Sequence, residues 1–398
     1  MEKKINIGFL INFSYLSWIG GFNYFLNFFN CLNLKKKEIN IIIFTDHKFS
    51  RCEKKKFKNI KIIQNSLFSR EAKLLRILSK LKILLFGRDK ALDNFFENKI
   101  DLLSHSGYLG SKSVIPSLPI IWDFQEIHNK NLFSFKDRVL RKFNTLMCSM
   151  HANKVILGGN HCHKDYTNVL KNKNNNGVVL SQPAFIKKFN LMSKKSISKK
   201  FNIFEKKFFY LPNQFWFHKN HLVVLKALKY AKEKYRENLC VISSGLTYDR
   251  RFPNHFENIK KYIDENKLHN NFIILNTIKF DNLLNLMCHA IALINPSKSE
   301  GWSNTVEQGK SLEKKIILSK IPSHIEQKPK GGYFFNCDDY KKLTKILIKC
   351  SRNHKLNEIK NYKKIKKNNK KKAIKFAGNY LDIVKNILIK KNSPGYEL

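Results

Sequence analysis

Acidic side chains are scarce in this chain: 30 Asp plus Glu face 75 Lys plus Arg across 398 residues, a formal charge of +45. Arginine is scarce as well, supplying only ten of those basic residues. Base edges and paired phosphate oxygens are read mainly by Arg, whereas Lys acts as a hydrated point charge. With no RNP, zinc-finger or helix-turn-helix signature and no clustering of basic residues, no specific nucleic-acid partner is expected. The 9 Pro and 16 Gly are too few for collagen-like or linker-like material. The eight Cys form no Cys-x-x-Cys pair and no zinc or iron–sulfur spacing. Scattered thiols of this kind fit a reducing cytoplasm. His161-Cys162-His163 could ligate a metal but has no second cluster beside it, so no metal is expected. The Gly-x-Gly-x-x-Gly fingerprint is absent, which counts against a nicotinamide or flavin cofactor; none is expected.

A hydrophobic fraction of 43% with 32 Phe excludes a solvated, disordered chain. The length suggests two domains. Lys, Asn and Ile share A/T-rich codons, so the basic bias reads first as genome composition and second as attraction to anionic membranes or substrates. Between Lys4 and Lys35 no residue is charged, which at first resembles a signal sequence or anchor. Gly20-Gly21 splits the stretch, however, and Asn23, Asn27 and Asn30 share one helical face. Such a polar stripe argues against a membrane span. The stretch reads instead as strand Ile5–Ile11, a glycine turn and helix Phe22–Leu34, the opening of a doubly wound α/β domain.

Short apolar runs alternate with helical patterns from there onward. Asn40–Thr45, Asn59–Gln64, Asp101–Ser104, Ile120–Trp122, Lys154–Leu157 and Gly177–Leu180 read as strands, and Glu71–Phe86 and Asp137–Cys148 as helices. Ile186–Lys200, rich in Lys and Ser, reads as a linker. The alternation restarts at Phe208–Leu211 and runs through helix His221–Tyr235 to strand Lys315–Ser319. Helices Lys341–Cys350 and Ala373–Lys390 follow, with a solvated Lys/Asn-rich run between them. Two βα arrays imply two open parallel sheets, Rossmann-like domains facing across a cleft.

The most informative stretch is Asn295-Pro-Ser-Lys-Ser-Glu-Gly-Trp-Ser-Asn-Thr-Val-Glu-Gln308. An apolar strand ends at Asn295, and Ser303-Asn304-Thr305 suits a helix N-cap. First-turn amides and the helix dipole make an anion site there, with Glu300 placed to meet hydroxyls on a group attached to the anion. An ordinary capped βα loop with a surface Glu has the same sequence. Lys219 stands about a turn before helix His221–Tyr235, within reach of a phosphate at the same end of the sheet. Gly245, in Ser243-Ser-Gly245, and Gly20-Gly21 let a backbone approach a ligand closely.

Taken together, these runs resemble retaining GT-B glycosyltransferases of the large family called family 4 or group 1. Pro212–His221, Gly245 with Asp249-Arg250, Pro296–Glu307 and Ile317–Gln327 carry the resemblance in the second half. Trp122-Asp-Phe-Gln-Glu-Ile-His128 and Gly20-Gly21 carry a looser one in the first. The resemblance implies an acceptor-binding domain at 1–185, a nucleotide-sugar domain at 201–372 and a terminal helix at 373–398 packing back on the first. It makes Glu300 the first Glu of the Glu-x7-Glu motif, beside the donor sugar. The backbone of Gly301 to Thr305, including Ser303 and Asn304, would hold the diphosphate, and Lys219 would neutralise it without a metal ion. His128 would orient or deprotonate the acceptor; a polar loop His is the alternative reading.

Two positions depart from the pattern. Gln308 stands where the second Glu should accept from the ribose hydroxyls, and Glu313 where a Gly is usual. Gln still accepts through its carbonyl but carries no charge. Weaker donor binding, takeover by Glu307 and reduced activity are the consequences to separate. Adjacent helical residues point about 100° apart, which disfavours Glu307.

The resemblance implies transfer of a sugar from a nucleoside diphosphate to a glycan or lipid-linked acceptor, in cell-surface polysaccharide synthesis such as lipopolysaccharide. A non-catalytic polyanion or nucleic-acid binder and a sugar-nucleotide epimerase on the same fold are the alternatives. The expected location is cytoplasmic, peripheral on an anionic membrane surface if Glu71–Phe86 is interfacial; an ordinary packed helix has the same pattern.

Overall fold

Parallel strand pairing organises both halves of the chain. The structure, a computed structural model, describes residues 3–15, 18–69, 72–187, 189–203, 207–354 and 362–392. Glu71, where the sequence begins its basic helix, lies outside the described residues, as do 355–361 of the Lys/Asn-rich run. The rest of that run is a correction, since 362–372 open helix Tyr362–Asn392 and bury Ile365 and Asn369. The chain divides into a first unit, 1–185 with 371–398, and a second unit, 186–370.

In the first unit, β1 (Ile5–Leu10), β2 (Ile39–Thr45), β3 (Lys61–Gln64), β4 (Leu102–Ser104) and β5 (Ser117–Leu118) form a sheet ordered β3-β2-β1-β4-β5. β6 (Ile120–Ile121), β7 (Val155–Leu157) and β8 (Gly177–Val179) form a second, three-stranded sheet. Pro119 lies between β5 and β6 and has no N–H to give a ladder, so the run changes sheets there. Ile7 and Phe9 on β1 alternate inward against Phe22, Phe25, Phe28 and Phe29 of helix Ile19–Leu32. The last helix, Tyr362–Asn392, adds Ala373, Phe376, Ala377 and Tyr380 to that same core.

Helix Ile19–Leu32 starts three residues before the expected Phe22, so Gly20 and Gly21 are its first turn and not a turn before it. Close packing explains the change. A Cβ on Gly21 would lie 2.2 Å from the Trp18 ring, so only glycine lets that indole cover the helix start. One member of the polar stripe that argued against a membrane span is held inside the unit: Asn27 donates to the Pro183 carbonyl at 2.7 Å and accepts from the Phe185 amide at 2.7 Å. No described helix is long and apolar enough to cross a membrane.

The second unit holds one six-stranded sheet, ordered β11-β10-β9-β12-β13-β14. Its strands are β9 (Phe209–Leu211), β10 (Val241–Ser243), β11 (Phe272–Ile274), β12 (Leu293–Asn295), β13 (Ile316–Ser319) and β14 (Tyr333–Phe335), and every pair is parallel. The expected linker is a correction. Ser193 caps a helix, Lys194–Phe201, by accepting from the Ser196 amide at 3.2 Å. Ile186, Phe189 and Ile197 are buried in the second unit's core, so three apolar residues outweigh a Lys-rich composition. The fold class is α/β, with parallel sheets in two domains.

Candidate active site

In the second unit the residues singled out by sequence gather at the carboxyl ends of β10, β9 and β12. Chain order reverses direction across the sheet between β9 and β12, and ligands of open α/β sheets bind at such a switch point. The loop after β9 holds Lys219 in a short 3-10 turn, Phe217–Lys219, just before helix His221–Tyr235. The loop after β12 holds Glu300. Adjacent strands thus bring together residues 81 positions apart: Lys219 Nζ donates to Glu300 Oε1 at 2.6 Å.

Glu300 is fixed from a second side by Ser297, whose hydroxyl donates to Oε1 at 2.7 Å. Burial alone would push this carboxyl up. The Lys219 ammonium overrides that and holds it down at about 2, with His218 and His324 acting in the same direction. Glu300 is therefore a carboxylate at any physiological pH. His218, buried in the same loop, is pushed down to about 3 mainly by its own burial.

Helix Asn304–Ser311 opens beside this pair. Ser303 is its N-cap, accepting from the Val306 amide at 3.4 Å. Asn295 locks the cap: its amide donates to Ser303 Oγ at 2.7 Å, while its carbonyl accepts from Asn213 at 2.9 Å. Thr305 Oγ1 lies 3.4 Å from Asn213 Oδ1. Gln327 braces the turn by accepting from the Ser303 amide at 3.2 Å and donating to its carbonyl at 3.0 Å. The first amides of a helix have no intrahelical acceptor, so this braced turn beside a Lys can bind an anion.

Asn213, Asn295, Ser297 and Gln327 escaped the reading of the sequence as site residues. The available signal was a polar residue closing an apolar strand, as Asn295 closes Ala290–Ile294. Gly245 is at the site's edge, but its requirement is internal: a Cβ there would lie 2.4 Å from the Asn213 carbonyl oxygen. Glu307, one of the alternatives for the second Glu of the pattern, is already engaged. It is buried, and its carboxylate accepts from Gln327 at 3.0 Å and from Lys310 at 2.8 Å. Gln308 is half-buried on the next position round the helix. Glu313 takes a φ of 53°, the left-handed region, which is the physical reason for glycine at this point of the pattern.

Gly20, Gly21 and His128 belong to the first unit. His128 Nε2 lies 2.7 Å from Asp165 Oδ2, with the imidazole exposed. The two carboxylates of the same motif are used structurally: Arg141 donates to Glu126 at 2.6 Å and is paired with Asp123. His161, Cys162 and His163 lie on helix Asn160–Val169, and among the described residues no group of His, Cys, Asp or Glu is placed to hold a metal ion.

Residues 193–372 match the family described as "Glycosyl transferases group 1". No curated protein sequence matches the chain. Solved structures that resemble it include a glycosyltransferase from Rickettsia africae, with a TM-score of 0.65 at 16% identity over 98% of this chain and 100% of that one. HepE from Anabaena, solved with UDP and glucose, gives 0.69 at 11% identity over 96% and 99%. WaaG, a glycosyltransferase involved in lipopolysaccharide biosynthesis, gives 0.58 at 11% over 94% and 95%. At such identities the likeness establishes the two-domain GT-B fold.

Proposed function

We propose that the chain is a retaining, metal-independent glycosyltransferase of family 4 type. It moves a sugar from a nucleoside diphosphate to a glycan or lipid-linked acceptor in cell-surface polysaccharide synthesis, in the cytoplasm. The observation that carries this reading is the Lys219–Glu300 pair set beside the capped start of helix Asn304–Ser311, inside the segment that matches the transferase family. Structural neighbours that bind UDP with glucose or act in lipopolysaccharide synthesis support the donor and pathway classes.

Breaking the bond between sugar and phosphate gathers negative charge on the leaving diphosphate. Lys219 and the amides of Gly301 to Thr305 stabilise that charge where it develops, the kind of electrostatic contribution that often dominates catalysis. Glu300, ionised throughout, stands beside the donor sugar as positive character grows at its anomeric carbon. No carboxylate is assigned as a nucleophile, so the acceptor attacks on the face from which the diphosphate departs. In the first unit, His128 takes the acceptor's proton, with Asp165 orienting the imidazole; Gly20 leaves its backbone open to the donor, while Gly21 is taken up against Trp18. Gln308 accepts from the ribose without charge, and Gly245 lets the loop after β10 close on the Asn213 carbonyl.

The test is a panel of radiolabelled nucleotide sugars, read by hydrolysis and by transfer, with nucleoside diphosphate binding measured by calorimetry. Turnover of at least one donor, with the anomeric configuration kept, is the expected result. Absence of both turnover and binding across the common donors overturns the reading.

A further inference from the structure

Three strand ends of the first unit meet in one cluster of aromatic rings. Phe13 and Trp18 follow β1, His105 follows β4 and Trp122 follows β6. The Trp18 and Trp122 rings meet edge to face, with centroids 5.3 Å apart at 85°. Phe13 packs on Trp18 at 4.9 Å, and Tyr24 of helix Ile19–Leu32 packs on Trp122 at 4.7 Å. The four rings are thus in unbroken contact, and both indoles remain only half-buried. Gly21 admits Trp18 to the cluster, since a side chain there would strike the indole.

The cluster stands on a buried chain of hydrogen bonds. His105 takes a φ of 56°, the left-handed region, which is uncommon for a residue with a β-carbon. Such conformations persist where the surroundings over-determine them, and they gather at functional sites. Here both imidazole nitrogens are engaged, Nδ1 with Ser104 Oγ at 2.8 Å and Nε2 with Tyr24 Oη at 3.1 Å. Tyr380 of the last helix donates to Ser104 Oγ at 2.8 Å. The Ser104 hydroxyl hydrogen therefore goes to Nδ1, and the Nε2 hydrogen goes to Tyr24. Burial keeps the ring neutral, pushed down to about 3, as this order of donors requires. Tyr24 is thereby fixed against Trp122.

We propose that Trp18 and Trp122 form a shelf on which a sugar ring of the acceptor stacks, with His105 as a positioning residue for that shelf. A pyranose carries a face of C–H bonds inside a rim of hydroxyls. That pairing of apolar face and wet edge suits indoles packed into a cluster yet partly in water. The carboxyl ends of strands are also where open α/β sheets take their ligands. The inference rests on the transferase reading, which needs an acceptor in this unit. It narrows that reading from a glycan or lipid-linked acceptor to one recognised through a sugar ring.

The experiment is saturation-transfer NMR on the full chain without nucleotide, using the methyl β-glycosides of glucose, galactose and N-acetylglucosamine. These probes are neutral, so the chain's charge of +45 does not attract them. Sorbitol, which has hydroxyls but no ring face, and uridine serve as controls. At least one glycoside receives saturation on the C–H hydrogens of one ring face, and sorbitol receives none. Trp122→Leu weakens that binding by about fivefold or more, whereas Trp122→Phe, which keeps an aromatic face, holds it within about twofold. The ring-face pattern and the Phe variant keep the test decisive if Trp122→Leu does not fold. His105→Asn suits the left-handed backbone but removes the ring; it weakens glycoside binding and raises the acceptor KM more than it lowers kcat. The proposal is overturned if no glycoside exceeds sorbitol, if uridine takes the saturation instead, or if Trp122→Leu binds as wild type does. Donor turnover and nucleoside diphosphate binding test the transferase reading separately. Turnover without glycoside saturation sinks the shelf alone. Saturation of one ring face without donor binding or turnover sinks the transferase reading and leaves a sugar-binding site.

Discussion

Two carboxylate contacts of nearly equal length occupy very different surroundings, one in each unit. Lys219 meets Glu300 at 2.6 Å, with side chains 14% and 10% exposed. His128 meets Asp165 at 2.7 Å, but the imidazole is 46% exposed. Distance does not rank them; burial does. Water screens the outer pair, and such contacts are worth about 0–1 kcal/mol. In the inner pair each charge compensates the desolvation of the other, so loss of either partner leaves an orphan. The inner pair is a fixed electrostatic element, while the outer one leaves its imidazole accessible from solvent.

The largest effect should come from breaking the inner pair on one side. Lys219→Met leaves Glu300 buried without its cation and should cost about 3–5 kcal/mol in urea unfolding. Adding Glu300→Gln removes the stranded charge, so the double variant should recover at least half of that loss. If the single and double variants unfold alike, the pair is less buried than it looks and the contrast between the units fails.

Acid should expose the same coupling. The Glu300 carboxyl, held down at about 2 in the folded chain, titrates near 4.3 when unfolded. Its contribution is complete above the unfolded value and is lost as pH falls through about 2, on the order of 3 kcal/mol. Between pH 5 and 2, wild-type protein should therefore lose stability more steeply than Glu300→Gln. Equal slopes would show that the carboxyl is not held down. In the transferase reading, Glu300→Gln should lower turnover tenfold or more, about 1.4 kcal/mol. Nucleoside diphosphate affinity should change much less, because Lys219 and the helix amides remain.

The legible and illegible parts of the molecule divide along a physical line. Strand-and-helix alternation pointed to parallel sheets in two domains, because buried parallel strands read as short apolar runs, but not to the division of the first unit's strands between a five-stranded and a three-stranded sheet. The inner site was legible from Asn295 to Thr305, where a strand end, a glycine and a cap fall in one loop. Which way a helix faces was not legible. Helix Lys73–Phe86 buries only Ile83. Helix Tyr340–Arg352 is as basic and amphipathic, yet it buries Leu343, Ile346, Leu347 and Ile348. A helical pattern fixes which residues share a side, whereas the tertiary partner decides whether that side is covered. The bracing residues Asn213 and Gln327 were illegible for the same reason. Their partners, Asn295 and Ser303, lie 82 and 24 residues away. Gly21 and Gly245 were misread as openings toward a ligand, when each is needed for close packing within its own unit.

Gln308→Glu sharpens the inner site by a smaller amount. With Glu307 Oε1 engaged by Gln327 and Lys310, the transferase reading assigns the ribose contact to position 308. A charged acceptor there should tighten nucleotide binding by roughly 0.5–1.5 kcal/mol, measured by calorimetry. Unchanged affinity would place the ribose elsewhere. Activity that appears only in the substituted chain would instead identify the natural sequence as a weakened transferase.

The smallest effect on stability should come from the outer pair. His128→Asn keeps a polar side chain facing Asp165 but removes the titratable ring, and screening limits the loss to about 0.5 kcal/mol. Its use lies in the separation of readouts. If His128 takes the acceptor's proton, transfer should fall by about 10²-fold or more, part of it recoverable at higher pH. Nucleotide binding, set in the other unit by Lys219 and the start of helix Asn304–Ser311, should not move. A variant that transfers sugar at the wild-type rate would reduce His128 to a surface residue held by Asp165. A variant that unfolds several kcal/mol more easily would show that the outer pair is buried in solution, and the contrast drawn between the two units would then collapse.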